Sequence, residues 1–426
     1  MQEIKPVGQL DATLHLPGSK SYSQRAMVVA ALAEGKSHLQ NVLVAEDTRY
    51  LTEALRLLGA DISGTGEDLV VSGTGGNIHS PGRDIFLGNN GTALRLLTSV
   101  VCLGKGRFIL TGVSRLCERP VQPLLDALAK MGINARSKTG TGCPPVLIEA
   151  NGIPGGRITL VNIESSQYVS SLLISAPYAG KDVEIVLEGR TVSQPYIDLT
   201  LEVMSRFGVQ VATRGENTYS ITCGQRYKGR AYRVEGDVSS ASYFFLAAAI
   251  VRGRCKVFNI NPHSLQGDIG VLGIMEELGC AVAKGDDWVE VTGGALRKGE
   301  YIVNMGDMPD MVPTIAVLAA FRPGRTVITN VAHLRLKESN RIEALVVELN
   351  RMGIMAEERE DGLVVTGGTP HGAEIETYHD HRIAMSFAVA GLAVPGIKIK
   401  NPRCVDKSFP GFWEEMAKAT GREKKA

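Results

Sequence analysis

Five cations occupy positions that a helix disfavours. Lys20 lies in Gly18-Ser19-Lys20-Ser21, Arg119 in Glu118-Arg119-Pro120 and Arg382 in Asp380-His381-Arg382, while Lys337 and Arg341 bracket Lys337-Glu338-Ser339-Asn340-Arg341. Each segment precedes an apolar or amphipathic run and reads as a helix start. A cation there opposes the positive end of the helix dipole. The arrangement becomes favourable if an anion binds, because backbone amides, dipole and cation then act together. Neighbouring starts carry only cap-forming residues, as in Gly88-Asn89-Asn90-Gly91-Thr92, Glu164-Ser165-Ser166-Gln167 and Gly236-Asp237-Val238-Ser239-Ser240. For any one of these, capping is sufficient explanation. Recurrence of the charged version favours an anion site. Lys337 and Arg341, four apart, would share one side of a helix, a like-charge pair that needs an anion or carboxylate beside it. Asp310, after Pro309 at another start, reads as a cap or as a general base held close to Lys337.

Positioning these residues is the task of a repeated unit. An apolar helix end, a glycine and a short strand recur at Gly59, Gly132, Gly208, Gly279 and Gly353, spaced 132−59 = 73, 208−132 = 76, 279−208 = 71 and 353−279 = 74. Gly421, at 421−353 = 68, reads as a sixth, truncated copy. Glycine suits the left-handed residue that ends a helix. Each copy opens with a helix that is apolar nearly all round: 21–33, 92–102, 167–176, 240–251, 313–321 and 382–392. Such helices must be buried on every side. A second, amphipathic helix follows; Ile342, Leu345, Val346, Leu349 and Met352 mark its one buried face. Six buried helices imply sheets on the outside, with three copies in each of two domains. A linear solenoid usually stacks shorter repeats.

Composition narrows the partners. The chain has 426 residues, too many for one core of ordinary size. Lys plus Arg number 46 against 45 Asp plus Glu, and aromatics are 5%. That balance argues against nucleic acid. Seven separated cysteines without a C-x-x-C pair argue against a disulfide frame or zinc site and for a reducing compartment. His379-Asp380-His381 is too short a spacing for a metal site. Met1–Pro6 lacks an apolar signal core, and the apolar runs are too short to span a bilayer. The expectation is a cytoplasmic protein without a membrane partner.

The same residues resemble the 5-enolpyruvylshikimate-3-phosphate synthase (EPSP synthase) family of enolpyruvyl transferases. The matches are Leu16-Pro17-Gly18-Ser19-Lys20-Ser21 with Arg25, Leu87-Gly88-Asn89 with Gly91-Thr92-Ala93 and Arg95, and Glu118-Arg119-Pro120. Ser165-Ser166-Gln167, Gly236-Asp237 with Ser239-Ser240-Ala241, and Lys337-Glu338 with Arg341 follow. Asp380-His381-Arg382 and Lys407-Ser408-Phe409-Pro410 complete a set that runs through the whole chain in order. The resemblance implies a two-domain inside-out α/β barrel of six βαβαββ-like units. It implies that residues 1–18 plus 235–426 form the domain of phosphoenolpyruvate and the catalytic acid and base, and 19–234 the shikimate 3-phosphate domain, with a cleft between.

The implied reaction moves the enolpyruvyl group of phosphoenolpyruvate to the 5-hydroxyl of shikimate 3-phosphate and releases phosphate, a step toward chorismate. By resemblance, Ser21 and Arg25 hold the shikimate carboxylate, and Ser165, Ser166 and Ser193 the 3-phosphate. Gln167, Tyr196, Asp310 and Lys337 contact the ring and its substituents. Lys20, Gly91, Arg119, Gln167, Arg341, Arg382 and Lys407 surround phosphoenolpyruvate. Asp310 accepts the hydroxyl proton, and Glu338 or Lys20 protonates the methylene carbon, through a tetrahedral intermediate. No metal or organic cofactor is required, and a monomer is expected. Two departures stand out. Asn90 replaces a residue that is usually alanine and borders the glycine against phosphoenolpyruvate, which bears on sensitivity to glyphosate. His333 stands where asparagine is common. The alternative is the sister transferase acting on UDP-N-acetylglucosamine, which carries a catalytic cysteine before an Arg-Pro. Cys117 precedes Arg119-Pro120 by too little for that loop and reads as a spectator.

Overall fold

The computed structural model describes residues 1–191, 193–215 and 217–422. The chain forms two compact units, one from Met1–Ser19 with Glu235–Ala426 and the other from Lys20–Val234. Among the described residues there are twelve α-helices: α1 (Lys20–Leu32), α2 (Glu46–Leu57), α3 (Gly91–Val100), α4 (Gln122–Lys130), α5 (Gln167–Ser175), α6 (Pro195–Arg206), α7 (Val238–Val251), α8 (Val271–Glu277), α9 (Val312–Phe321), α10 (Arg341–Arg351), α11 (His381–Ala390) and α12 (Phe412–Ala419).

The repeat is visible in the sheets. Ile85–Phe86 runs parallel to Lys105–Thr111, which pairs antiparallel with Val146–Asn151, itself antiparallel to Asn134–Ser137. The same order recurs in the sheets centred on Val183–Thr191 and Arg325–Thr329. Two sheets take their parallel edge strand from the far end of the unit. Ala231–Arg233 lies beside Lys36–Gln40, and Asp11–His15 beside Arg254–Phe258. The sixth sheet is reduced to Glu374–Ile375, Lys398–Ile399 and Gln2–Glu3. Strands alternate exposed and buried residues, as along Asp11–His15 and Lys36–Gln40, so each sheet covers the interior with one face.

That interior is built from α1, α3 and α5 in one unit and α7, α9 and α11 in the other. Helices α7, α9 and α11 touch one another, and α3 touches both α1 and α5. They are buried along nearly their whole length, as their uniform apolarity requires. This is the inside-out α/β arrangement of six repeated units.

The six recurrent glycines all have positive φ, from +64° at Gly421 to +109° at Gly59. At each one the backbone closes in the same way. Gly59 N donates to Arg56 O and Ala60 N to Leu55 O, and the pairs recur at Gly353–Asn350 with Ile354–Leu349 and at Gly421–Lys418 with Arg422–Ala417. This double bond pattern caps the last carbonyls of the amphipathic helices.

One helix start differs from expectation. α10 begins at Arg341, because the Asn340 side chain accepts the Glu343 amide and caps it there. Lys337 and Glu338 therefore precede the helix, and Lys337 and Arg341 do not share a helical face. Arg119 likewise lies in the turn before α4, and Lys407 ends the short helical turn Pro402–Lys407.

Candidate active site

The unit of Lys20–Val234 gathers its polar residues at the starts of α1, α3 and α5. Lys20 opens α1, and its ammonium lies 3.8 Å from Asp47 Oδ2 in the first turn of α2. One turn along α1, Arg25 is 1% exposed. Its Nε donates to Thr200 Oγ1 at 2.7 Å, and its terminal nitrogens to the Ser21 and Tyr196 carbonyls and the Ser170 hydroxyl. These acceptors are all neutral oxygens. Burial without a carboxylate partner pushes the guanidinium down to about 10. A cation held this way attracts an anion.

Gly91 opens α3, and a Cβ there would stand 2.6 Å from Cζ of the buried Arg119. No other residue lets the guanidinium lie so close to the helix start. Arg95 fixes Gln167, the first residue of α5. Its Nη1 donates to Gln167 Oε1 at 2.8 Å and its Nη2 to Pro120 O at 2.9 Å. Gln167 Nε2 in turn donates to Thr92 Oγ1 at 3.0 Å. Ser165 and Ser166 are buried just before α5, where the dipole favours phosphate. Ser193, also buried, has φ +60°, an uncommon backbone for serine that aims the turn before α6.

Asn90, beside Gly91, uses both ends of its side chain. Its Oδ1 accepts the Ala93 amide at 2.9 Å and its Nδ2 donates to Asp47 O at 2.8 Å. The amide caps α3 and ties it to α2.

The second unit carries a denser cluster. Arg341, 1% exposed, is surrounded by three carboxylates. Its Nη1 donates to Asp310 Oδ1, its Nη2 to Glu338 Oε2 and its Nε to Asp380 Oδ2, each at 2.8 Å. Burial alone would lower this guanidinium; the charges of Asp380, Glu338 and Asp310 raise it instead. Arg382 Nη2 donates to Asp310 Oδ2 at 2.6 Å and its Nη1 to the Tyr243 hydroxyl at 3.3 Å. Lys407 Nζ lies 4.0 Å from Glu338 Oε1. Asp310 sits in the turn Pro309–Met311 before α9, and both of its oxygens face arginines.

Two carboxylates here were absent from the expected site. Asp380 caps α11 by accepting the Arg382 amide at 3.0 Å, and also binds Ser339 Oγ at 3.0 Å. It thus orients the Arg341 side chain and caps the helix that carries Arg382. Asp268 accepts the Ser239 hydroxyl. Burial, and then the nearby Asp310 charge, push its carboxyl up to about 6. Asp380 lies inside a recognisable motif, but as a helix cap it gave no sign of its side-chain partners. Asp268 had no local signal at all.

Among the described residues no group of three or more His, Cys, Asp or Glu is placed to hold a metal ion. No helix among them is long and apolar enough to cross a membrane. The arrangement as a whole is two sets of preorganised cations with carboxylates beside them. It suits anionic substrates and proton transfer.

Comparison with known proteins agrees with this chemistry. The family model described as EPSP synthase (3-phosphoshikimate 1-carboxyvinyltransferase) matches residues 4–416. A 3-phosphoshikimate 1-carboxyvinyltransferase of Trichormus variabilis is 42% identical over 415 residues, covering 97% of each chain. One of Methanoculleus marisnigri is 43% identical over 414 residues, covering 97% of this chain and 98% of that one. The structure is similar to that of EPSP synthase from Acinetobacter baumannii, with a TM-score of 0.81, 29% identity and coverage of 98% and 97%.

Proposed function

The chain belongs to the EPSP synthase (3-phosphoshikimate 1-carboxyvinyltransferase) family, and from that premise we propose that it transfers the enolpyruvyl group of phosphoenolpyruvate to the 5-hydroxyl of shikimate 3-phosphate, releasing phosphate. The observation that carries this reading is the match of the family model over residues 4–416. The relatives' names favour it over transfer to UDP-N-acetylglucosamine. Cys117, half-buried with its Sγ 3.9 Å from Thr111 Oγ1, is assigned no role.

The residue assignments follow the chemistry of each group. Arg25 and Ser21 take the shikimate carboxylate; the buried guanidinium with only neutral acceptors supports this. Ser165, Ser166 and Ser193 take the 3-phosphate. Gln167, Tyr196 and Lys337 meet the ring and its substituents, and Gln167 also meets phosphoenolpyruvate. Lys20, Gly91, Arg119, Arg341, Arg382 and Lys407 are assigned to phosphoenolpyruvate. Guanidinium groups suit its carboxylate and phosphate through paired N–H donors.

In the reaction the 5-oxygen adds to C2 of phosphoenolpyruvate while Asp310 accepts its proton. The C3 methylene gains a proton from Glu338 or Lys20. The resulting tetrahedral ketal then loses phosphate as a methyl proton returns, regenerating the enol ether. The surrounding cations stabilise charge that shifts along this path. We read the protein as a monomeric cytosolic enzyme with no metal or organic cofactor. Phosphate release from phosphoenolpyruvate tests the proposal. It should require shikimate 3-phosphate, and release with UDP-N-acetylglucosamine instead would overturn it.

A further inference from the structure

Asp310 is assigned as the base, yet in this structure both its carboxylate oxygens are held by guanidinium groups, Oδ1 by Arg341 at 2.8 Å and Oδ2 by Arg382 at 2.6 Å. A carboxylate between two cations is a weak proton acceptor. The same two arginines are the ones assigned to phosphoenolpyruvate. Arg341 has four of its five N–H donors engaged: Nε and one Nη2 hydrogen on Asp380, the other on Glu338, and one Nη1 hydrogen on Asp310. One remaining N–H cannot grip a substrate carboxylate bidentately. A second N–H becomes available to a substrate carboxylate only where one of the three protein carboxylates leaves.

The structure indicates which. Asp380 is fully buried and takes four hydrogen bonds, from Arg341 twice, Ser339 and the Arg382 amide. Glu338 is 8% exposed and lies beside Lys407 as well. The Asp310 side chain is 20% exposed, the most accessible of the three, and is the only one that bridges the side chains of both arginines. Asp380, Glu338, Asp268 and Tyr243 are further titratable groups facing Asp310 or its two arginines, with Lys407 beside Glu338.

We propose that the Asp310 carboxylate is an internal stand-in for the carboxylate of phosphoenolpyruvate, occupying its place between Arg341 and Arg382 until the substrate displaces it. The proposal rests on the functional reading above and deepens it. Substrate binding is then an exchange of one carboxylate for another. Asp310, released from two cations, becomes a better base only when phosphoenolpyruvate is present to be attacked. The exchange also lowers the apparent affinity for phosphoenolpyruvate, because the stand-in competes for the same donors.

Calorimetric titration of phosphoenolpyruvate into the full chain, without shikimate 3-phosphate, tests this. Removing the competitor in Asp310→Ala should tighten binding by about tenfold or more, although turnover is lost. Asp310→Asn, which keeps shape but not charge, should fall between that variant and the native chain. Glu338→Gln removes an equal charge from the same guanidinium without vacating the shared position, and should tighten binding less than Asp310→Ala does. Equal or weaker binding in both Asp310 variants overturns the proposal. So does equal tightening in Glu338→Gln, or no binding to the native chain and Asp310→Ala alike at millimolar ligand. The functional reading fails separately, if the native chain releases no phosphate when shikimate 3-phosphate is supplied.

Discussion

Gly91 and Arg119 are in contact that leaves no room for a methyl group: a Cβ on Gly91 would lie 2.6 Å from the guanidinium carbon and 2.7 Å from Nη2. Arg119 is buried, so its head cannot simply swing into solvent. In Gly91→Ala the guanidinium must move, and its bonds to a bound anion lengthen or break. Losing a charge-assisted bond costs about 1.5–3 kcal/mol, so the KM for phosphoenolpyruvate should rise about 10- to 100-fold. The KM for shikimate 3-phosphate and the melting temperature should stay close to native values. Steady-state kinetics with each substrate varied would show this, and an unchanged KM for phosphoenolpyruvate would remove Arg119 from its assigned place.

Asp380 supports the other cluster from beneath. It is the deepest carboxylate around Arg341 and also caps α11. Asp380→Ala leaves a buried guanidinium with one fewer counter-charge and α11 without its cap. Breaking a buried pair in this way costs about 3–5 kcal/mol. Asp380→Asn can still accept the Arg382 amide and should lose less stability, yet it should still impair turnover because Arg341 loses its deepest counter-charge. Urea unfolding of the two variants measures the first effect. Equal stability of Asp380→Ala and the native chain would show that the other two carboxylates suffice.

Asp268 gives stability a pH dependence of known sign. Its carboxyl is pushed up to about 6 in the folded chain from an ordinary value of 3.8. Between those values the folded protein holds a proton that the unfolded chain has released. Stability from this group therefore falls as pH rises through that window, and the cost of the buried charge is complete above it. Asp268→Asn removes the titration and can still accept the Ser239 hydroxyl. The variant should gain stability relative to the native chain between pH 4 and pH 7.5, as read by chemical denaturation at both. A stability difference that is the same at the two pH values would mean that Asp268 is ionised throughout.

What could be read from the sequence was local, and what could not was mostly a matter of distant partners. The six glycine caps depend on a few adjacent residues, so their spacing located the ends of the amphipathic helices. The buried helices were equally legible, since 240–251 offers no polar face for solvent. By contrast, pairing of Asp11–His15 with Arg254–Phe258 joins strands more than two hundred residues apart. No local pattern encodes it; the family resemblance alone implied that the N-terminal strand joins the C-terminal half. At the site, the resemblance supplied by motif the residues expected to meet the anions. It did not supply the carboxylates Asp380 and Asp268 beside them, because Asp380 looks like a cap and Asp268 carries no local signal. Asn90 shows the same limit from the other side. In the sequence it only borders Gly91 in a cap-forming run, and of its two hydrogen bonds, which make it a cap and a tie to Asp47, the tie has no local signal.

Arg25 separates binding from folding more cleanly than the other cations. Its guanidinium lies among the Thr200 and Ser170 hydroxyls and two carbonyls, with no carboxylate to be left unpaired if it is removed. Thr200 and Ser170 also bond each other at 2.8 Å, and Thr200 donates to Tyr196 O at 2.8 Å, so the surrounding hydroxyls keep partners without it. Burying the charge already costs free energy, as the lowering to about 10 records. Arg25→Met fills similar space with no charge and should leave the melting temperature unchanged or raised. The same substitution removes the cation assigned to the shikimate carboxylate. Affinity for shikimate 3-phosphate should fall by about 10²-fold or more, the size of a lost charge-assisted pair, while that for phosphoenolpyruvate changes little. Calorimetric titration with each substrate distinguishes the outcomes. If Arg25→Met binds shikimate 3-phosphate normally and is instead destabilised, Arg25 is a structural cation and the carboxylate must be held elsewhere.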